Sequence, residues 1–302
     1  MDKNLPRGTV TALATPFTAD GDRIDFPSLD RLLQFQLDRC VSALVVAGTT
    51  GEGSTLAHGE YAQLLVHVRQ FVHGRVPIYA ATGSYCTKAC VERTQLAESL
   101  GVDGVLIVAP YYNKPTQRGI FSHFSAIADA VHLPIILYSI KSRCAVAIEV
   151  DTICELYEKY PHICALKECE SDCFARISRL RIALGNQFRL YCGNDELLLP
   201  FLSIGGDGAI SAASNSFIGE MKALCDDAFL QNFHSAAERH WKLFPWFQLL
   251  SCETNPSPIK FMLHLRGLFT NPTIRLPLVE LSPENKRRME NVHKSANATA
   301  NL

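Results

Sequence analysis

Short apolar, β-branched runs recur along the chain, each ending in Gly, Thr, Tyr or Lys and each followed by a longer amphipathic stretch. Eight of them read as strands: Thr9–Ala14, Ala43–Ala47, Val76–Ala81, Gly104–Ala109, Pro134–Tyr138, Cys164–Lys167, Phe188–Cys192 and Gly208–Ser211, starting about 20 to 35 residues apart. The near-continuous hydrophobicity of Val105–Pro110 and Pro134–Tyr138 suits strands covered on both faces, as in a parallel sheet. Helical spacing governs the stretches between them. Ser28–Cys40 places Leu29, Leu32, Leu33 and Leu37 on one face, and Glu60–Phe71 and Ala89–Leu100 repeat the pattern. Eight alternations of strand and helix predict an α/β fold, the (β/α)8 TIM barrel.

The pattern changes from Ile218 onward. Glu220–Phe229, Phe233–Leu250 and Pro258–Leu268 read as helices, with a Pro-rich break at Asn255-Pro256-Ser257-Pro258. This exceeds one closing barrel helix, so a C-terminal helical extension is expected. The predicted organisation is a barrel core over residues 1–217, the last barrel helix and extension over 218–292, and a polar, flexible tail over 293–302.

Composition narrows the function classes. At 302 residues, 47 % of them hydrophobic and 20 % charged, the chain fits one globular barrel rather than a disordered or collagen-like protein. Lys plus Arg is 29 against 30 for Asp plus Glu, a net charge of −1, so nothing points to a nucleic-acid partner. No apolar run approaches the roughly 18 to 20 residues of a membrane span. The opening MDKNLPRGTV has no apolar signal segment, so a cytoplasmic location is expected. Eleven cysteines in that setting predict free thiols rather than a disulfide framework. Cys86/Cys90 and Cys169/Cys173 are spaced four apart, not as CxxC, with no His pair close by. Most of the cysteines are expected to be small buried apolar residues, and no metal is expected.

In a barrel the chemistry sits at the C-terminal strand ends. Here these carry Thr15-Pro16, Gly48-Thr49-Thr50-Gly51-Glu52, Thr82-Gly83, Pro110-Tyr111-Tyr112-Asn113, Tyr138, Lys167, Gly193-Asn194-Asp195 and Ile210-Ser211. Lys167 ends the apolar run Ile163-Cys164-Ala165-Leu166. An amine walled by apolar groups loses hydration and its pKa falls; once neutral it can attack a carbonyl and form a Schiff base. The competing reading is a lysine in solvent or paired with Glu168. Tyr138 ends the neighbouring strand, where a phenol could pass protons to and from the reacting carbon, with Thr49 and Tyr112 supplying further hydroxyls. Either tyrosine could instead be a core aromatic. The Gly48–Glu52 turn offers backbone N–H groups to an anion such as a carboxylate. Gly205–Gly208 reads as a tight turn into the last strand.

Together these segments resemble the class I pyruvate-dependent aldolase family of dihydrodipicolinate synthase and N-acetylneuraminate lyase. The resemblance runs from about Gly8 to about Pro283. It is carried in order by VTALATPF, VAGTTGEGSTL, APYYNKP, ILYSIKSR, ALKE, GNDELLLPFLSIGGDGAIS and ETNPSPIK. GTTGE and PYYNKP are closer to the synthase branch. The resemblance implies a cofactor-free condensation of pyruvate with L-aspartate-4-semialdehyde on Lys167. It also implies a proton relay of Thr49, Tyr138 and Tyr112, with Tyr112 coming from a neighbouring subunit. Thr50 would hold the pyruvate carboxylate and Arg143 the semialdehyde carboxylate. Ile210 and Gly193 would be further substrate contacts, and the assembly a homotetramer of tight dimers. Alternatives are a sister aldolase acting on a sugar acid and a non-catalytic pyruvate-binding paralogue.

Two departures from the family pattern carry consequences. After the strand 5 tyrosine the family reads N-[IV]-P-x-R-[TS]-G, whereas this chain has Ser139-Ile140-Lys141-Ser142-Arg143-Cys144-Ala145. Loss of Pro and Gly changes the allowed dihedrals and bears on the identity of the acceptor. Lysine-sensitive members use an Asn and a Glu near the strand 3 end, where this chain has Tyr85 and Ala89, although His58 and Tyr111 match. Weak or absent lysine inhibition is expected. Cys144 and Cys169, near the expected site, are read as inert fillers.

Overall fold

A computed structural model describes residues 5–300, with side chains described through residue 295. Eight parallel strands close on themselves in sequence order: β1 (Gly8–Ala12), β2 (Ala43–Val46), β3 (Ile78–Ala81), β4 (Gly104–Val108), β5 (Ile135–Ser139), β6 (Ile163–Glu168), β7 (Arg189–Cys192) and β8 (Gly208–Ser211). The barrel is the one expected, with each strand end within two residues of its expected position. Almost every strand residue is buried, which is why the runs read as continuous apolar blocks instead of alternating. Closure pairs β1 with β8, Gly8 opposite Gly208. A Cβ on Gly208 would overlap the Gly8 carbonyl, and its φ of +145° suits glycine. The expected turn before β8 is tied down by Asp207, which pairs with Arg181 at 2.7 Å and Arg189 at 3.2 Å.

The helices wrapping the barrel are α1 (Phe26–Asp38), α2 (His58–Val72), α3 (Thr87–Ser99), α4 (Gln117–Ala128), the single turn α5 (Lys141–Cys144), α6 (Val150–Lys159), α7 (Phe174–Leu184), α8 (Leu198–Ser203) and α9 (Ser214–Phe229). Leu29, Leu32 and Leu33 of α1 are buried as their spacing predicts. Gln36, on the same face, is also buried. It accepts from Thr11 Oγ1 at 2.7 Å and donates to the Ser214 and Asn215 carbonyls, joining α1, β1 and α9.

Helix α9 starts six residues before the expected Glu220 and runs across residues 217 and 218, with a backbone kink at Phe217 (φ −122°, ψ 34°). The extension is α10 (Phe233–Leu250), α11 (Ser257–Leu265) and α12 (Pro283–Ala300). The sequence reading contained no α12. Most of that helix is polar and offers no periodic stripe; Met289 is its fully buried anchor. Residues 293–300, expected as a tail, continue this helix, and 301 and 302 lie outside the described residues. Among the described residues, no helix is long and apolar enough to cross a membrane.

Candidate active site

Strands β5 and β6 lie side by side with Tyr138 directly opposite Lys167, which places both side chains on one face of the sheet. The Lys167 ammonium nitrogen lies 4.4 Å from the centre of the Tyr138 ring. Lys167 is 7 % exposed and opens onto a cavity of about 300 Å³ at the C-terminal mouth of the barrel. Ala12, Val45, Leu106 and Ile210 supply apolar walls. Burial pushes the Lys167 pKa below the ordinary lysine value, only partly offset by Cys169 and Asp195. Glu168 is not its partner. As the next residue on the strand it faces the other way, where Arg176 Nε lies 2.8 Å from its carboxylate and the N–H groups of Cys169 and Glu170 donate to it.

The Tyr138 phenol is fully enclosed. Burial drives its pKa well above the usual value, with the Thr49 side chain a polar neighbour pulling the other way. Tyr138 therefore carries its proton at neutral pH and can donate it, but serves as a base only if that proton is passed on. Cys169 Sγ lies 3.9 Å from the phenol oxygen. Its thiol is pushed up to about 11 by burial, as is that of Cys144, so neither is a thiolate at neutral pH. The thiol of Cys144 donates to the Ala109 carbonyl at 3.2 Å. All eleven cysteines are free thiols. Among the described residues, no three His, Cys, Asp or Glu side chains gather as a metal-binding group.

Thr49 and Thr50 sit on the turn after β2 and line the same cavity. The turn is closed by Glu52 N–H to the Thr49 carbonyl and Gly53 N–H to the Gly48 carbonyl. Among the described residues, no acceptor takes the N–H of Thr49 or Thr50. Arg143, on α5, reaches the cavity rim, and its Nη2 donates to the Asn255 carbonyl at 3.3 Å. Gly193, at the end of β7, makes room for the amine: a Cβ there would overlap Cys169 Sγ and come within 2.8 Å of Lys167 Cε. Of the residues singled out from sequence, Lys167, Tyr138, Thr49, Thr50, Arg143, Ile210 and Gly193 converge on this cavity. Tyr112 does not. It is 85 % exposed on the loop after β4, with a φ of +69°.

The profile of the Dihydrodipicolinate synthetase family matches residues 5–296. The chain belongs to this family. A 4-hydroxy-tetrahydrodipicolinate synthase of Methanococcus maripaludis (strain C7) is 41 % identical to it over 286 residues, covering 94 % of this chain and 96 % of the relative. The solved structure of the 4-hydroxy-tetrahydrodipicolinate synthase from Methylacidiphilum fumariolicum SolV superposes with a TM-score of 0.92 at 42 % identity, covering 95 % of each chain. Another, described as the first monomeric dihydrodipicolinate synthase variant, gives 0.93 at 35 % identity over 98 % of each chain.

In this member of the dihydrodipicolinate synthetase family the substituted loop after β5 forms the short turn α5. Ala145, standing where the family has glycine, takes the left-handed conformation at φ +61°. The Lys141 N–H donates to Glu170 Oε1 at 2.5 Å while its side chain is exposed. Two cavity residues had no role in the sequence reading. Asp195 accepts from the Ala213 N–H at 2.9 Å, and burial raises its pKa while Lys167 is among the groups opposing that. Asn255 comes from the extension and touches Thr50 and Arg143 together. The break at Asn255–Pro258 marked the segment, but no local pattern tied it to the barrel mouth.

Proposed function

We infer that the chain is a 4-hydroxy-tetrahydrodipicolinate synthase, a lyase condensing pyruvate with L-aspartate-4-semialdehyde in the lysine and diaminopimelate pathway. The observation that carries this is a desolvated lysine in register with a buried tyrosine at the cavity in the barrel mouth. Relatives of that name at about 40 % identity over most of the chain support it.

On this reading the neutral Lys167 amine attacks the pyruvate ketone. The carbinolamine loses water, and Tyr138 supplies the proton that the departing oxygen needs. The protonated imine draws electrons from the methyl carbon, which gives up a proton to the Tyr138 oxygen left bare by the dehydration and becomes an enamine. That carbon bonds to the semialdehyde carbonyl carbon, and the new alkoxide takes the proton back from Tyr138. The substrate's own amine then displaces Lys167 from the imine carbon and closes the ring. The Thr49-Thr50 turn receives the pyruvate carboxylate, Arg143 the acceptor carboxylate, and Ile210 and Gly193 bound the pyruvyl group. No cofactor or metal has a part in these steps.

Tyr112 completes the relay from a neighbouring copy in a homotetramer of tight dimers. Its exposure on the rim supports that placement, since a phenol there is free to enter another chain's cavity. A cytosolic location belongs to the same reading, because eleven free thiols suit a reducing compartment.

Borohydride reduction in the presence of pyruvate, followed by peptide mass mapping, tests the chemistry. A pyruvyl adduct is expected on Lys167, and the same adduct on another lysine would move the site. The acceptor is tested by pyruvate consumption with aspartate semialdehyde against a sugar aldehyde. Faster turnover with the sugar aldehyde would make the chain a sugar-acid aldolase instead. That is the outcome to which the substituted Lys141–Ala145 loop is relevant.

A further inference from the structure

We propose that Asn255 is a positioning residue for the keto-acid carboxylate. Its side-chain amide donates to Thr50 Oγ1 and so turns the Thr50 hydroxyl proton toward the substrate. The proposal rests on the pyruvate reading above and extends it to a residue of the C-terminal extension.

Asn255 Nδ2 lies 3.1 Å from Thr50 Oγ1, across 205 residues of sequence. A hydroxyl has one proton to give and two lone pairs to fill. With one lone pair taken by the amide, the Thr50 proton remains for another acceptor, and among the described residues no protein group takes it. Thr50 is buried and both residues line the catalytic cavity, so a carboxylate there would receive a charge-assisted O–H···O⁻ bond.

The donor itself is held in place. Asn255 lies in the segment between α10 and α11, and α11 is anchored by Lys260, whose Nζ lies 2.6 Å from Glu52 Oε1 with both side chains buried. Glu52 belongs to the same turn as Thr50. The extension therefore grips that turn twice, once through a buried ion pair and once through the Asn255 amide. The Asn255 main-chain carbonyl separately accepts from Arg143 Nη2. Side chain and main chain of one residue thus serve the two expected carboxylate sites by different bonds.

This division of labour makes the proposal testable. Asn255→Ala removes the donor. Asn255→Asp keeps the size but offers only acceptors, which capture the Thr50 proton and set a negative charge against an anionic substrate. Both retain the carbonyl that holds Arg143. The half-saturating pyruvate concentration is read from the rate of borohydride inactivation, which needs no acceptor substrate, and KM for each substrate from turnover.

Asn255→Ala is expected to weaken pyruvate binding about tenfold and Asn255→Asp about a hundredfold, each factor of ten being about 1.4 kcal/mol, while KM for the aldehyde stays within about twofold. A general loosening of the site would raise both KM values together, and that result overturns the proposal. So does an Asn255→Asp variant that binds pyruvate as tightly as Asn255→Ala. Should the Asp variant fail to fold, Thr50→Val supplies the second arm: without the hydroxyl, adding Asn255→Ala must cost no further pyruvate affinity, and an additive loss refutes the coupling. Absence of any pyruvate adduct on Lys167 in the unmodified enzyme sinks the underlying functional reading itself, a result distinct from unaltered binding in the Asn255 variants.

Discussion

Replacing Lys260 with methionine isolates the energetic role of the extension. Lys260 is fully buried on α11, 2.6 Å from Glu52 Oε1 and 4.2 Å from the centre of the Phe17 ring. At that separation and an effective dielectric of about 20, the gross attraction is about 6 kcal/mol. Desolvation opposes it, because burial lowers the Lys260 pKa to about 8 despite the adjacent carboxylate. The environment therefore disfavours the charge overall, although the lysine stays protonated at pH 7. Under these conditions the intact pair contributes little net stability, yet breaking it strands a charge. Lys260→Met leaves Glu52 buried with the Arg275 N–H as its remaining donor, at 3.0 Å. The expected loss at pH 7 is about 3–5 kcal/mol. With an unfolding entropy near 2.1 cal/mol/K per residue, that is about 5–8 °C in Tm for this chain. Glu52→Gln should cost less, since Lys260 can shed its proton. The double variant should lose about 2–4 kcal/mol less than the sum of the singles. Scanning calorimetry on the three variants reads these values. A Lys260→Met protein within about 1 kcal/mol of the parent, or strict additivity in the double variant, would refute the argument.

Three further outcomes are expected. The folded pKa of Lys167 is lowered below that of the unfolded chain, so the charged form is disfavoured in the fold and a stability cost is present at neutral pH; between the lowered value and the unfolded one of about 10.4 the unfolded state binds more protons, and the cost fades as pH rises. Lys167→Met should therefore abolish the pyruvate adduct yet raise Tm at pH 7, with the gain shrinking toward pH 10, and a Tm no higher at pH 7 contradicts the burial argument. Ala145 sits at φ +61°, where a side chain costs roughly 1 kcal/mol, so Ala145→Gly should raise stability by about 0.5–1 kcal/mol, and a lower Tm would show the turn is unstrained. Tyr85 packs edge-on against Tyr111 at 5.5 Å, and neither position 85 nor 89 offers a carboxylate to a lysine ammonium. The synthase rate should hardly change with added lysine, and strong inhibition at low concentration would overturn this.

The sequence by itself determined the barrel, the eight strand ends and the pairing of Lys167 with Tyr138. Each strand is a local apolar run whose end is marked by a change in residue type, and Lys167 and Tyr138 close two runs that are consecutive in the chain and therefore neighbours in a barrel built in sequence order. The tertiary structure alone decided what reaches those ends from far away. Asn255 meets Thr50, and Lys260 meets Glu52, across more than 200 residues, and no periodicity encodes such a pairing. Nor did pattern reveal α12, whose polar surface lacks an apolar stripe. Local propensity and burial patterns act between residues a few positions apart, whereas the extension buries apolar residues such as Phe247, Met262 and Met289 and also makes specific polar contacts at the mouth whose partners are chosen only when the barrel has closed.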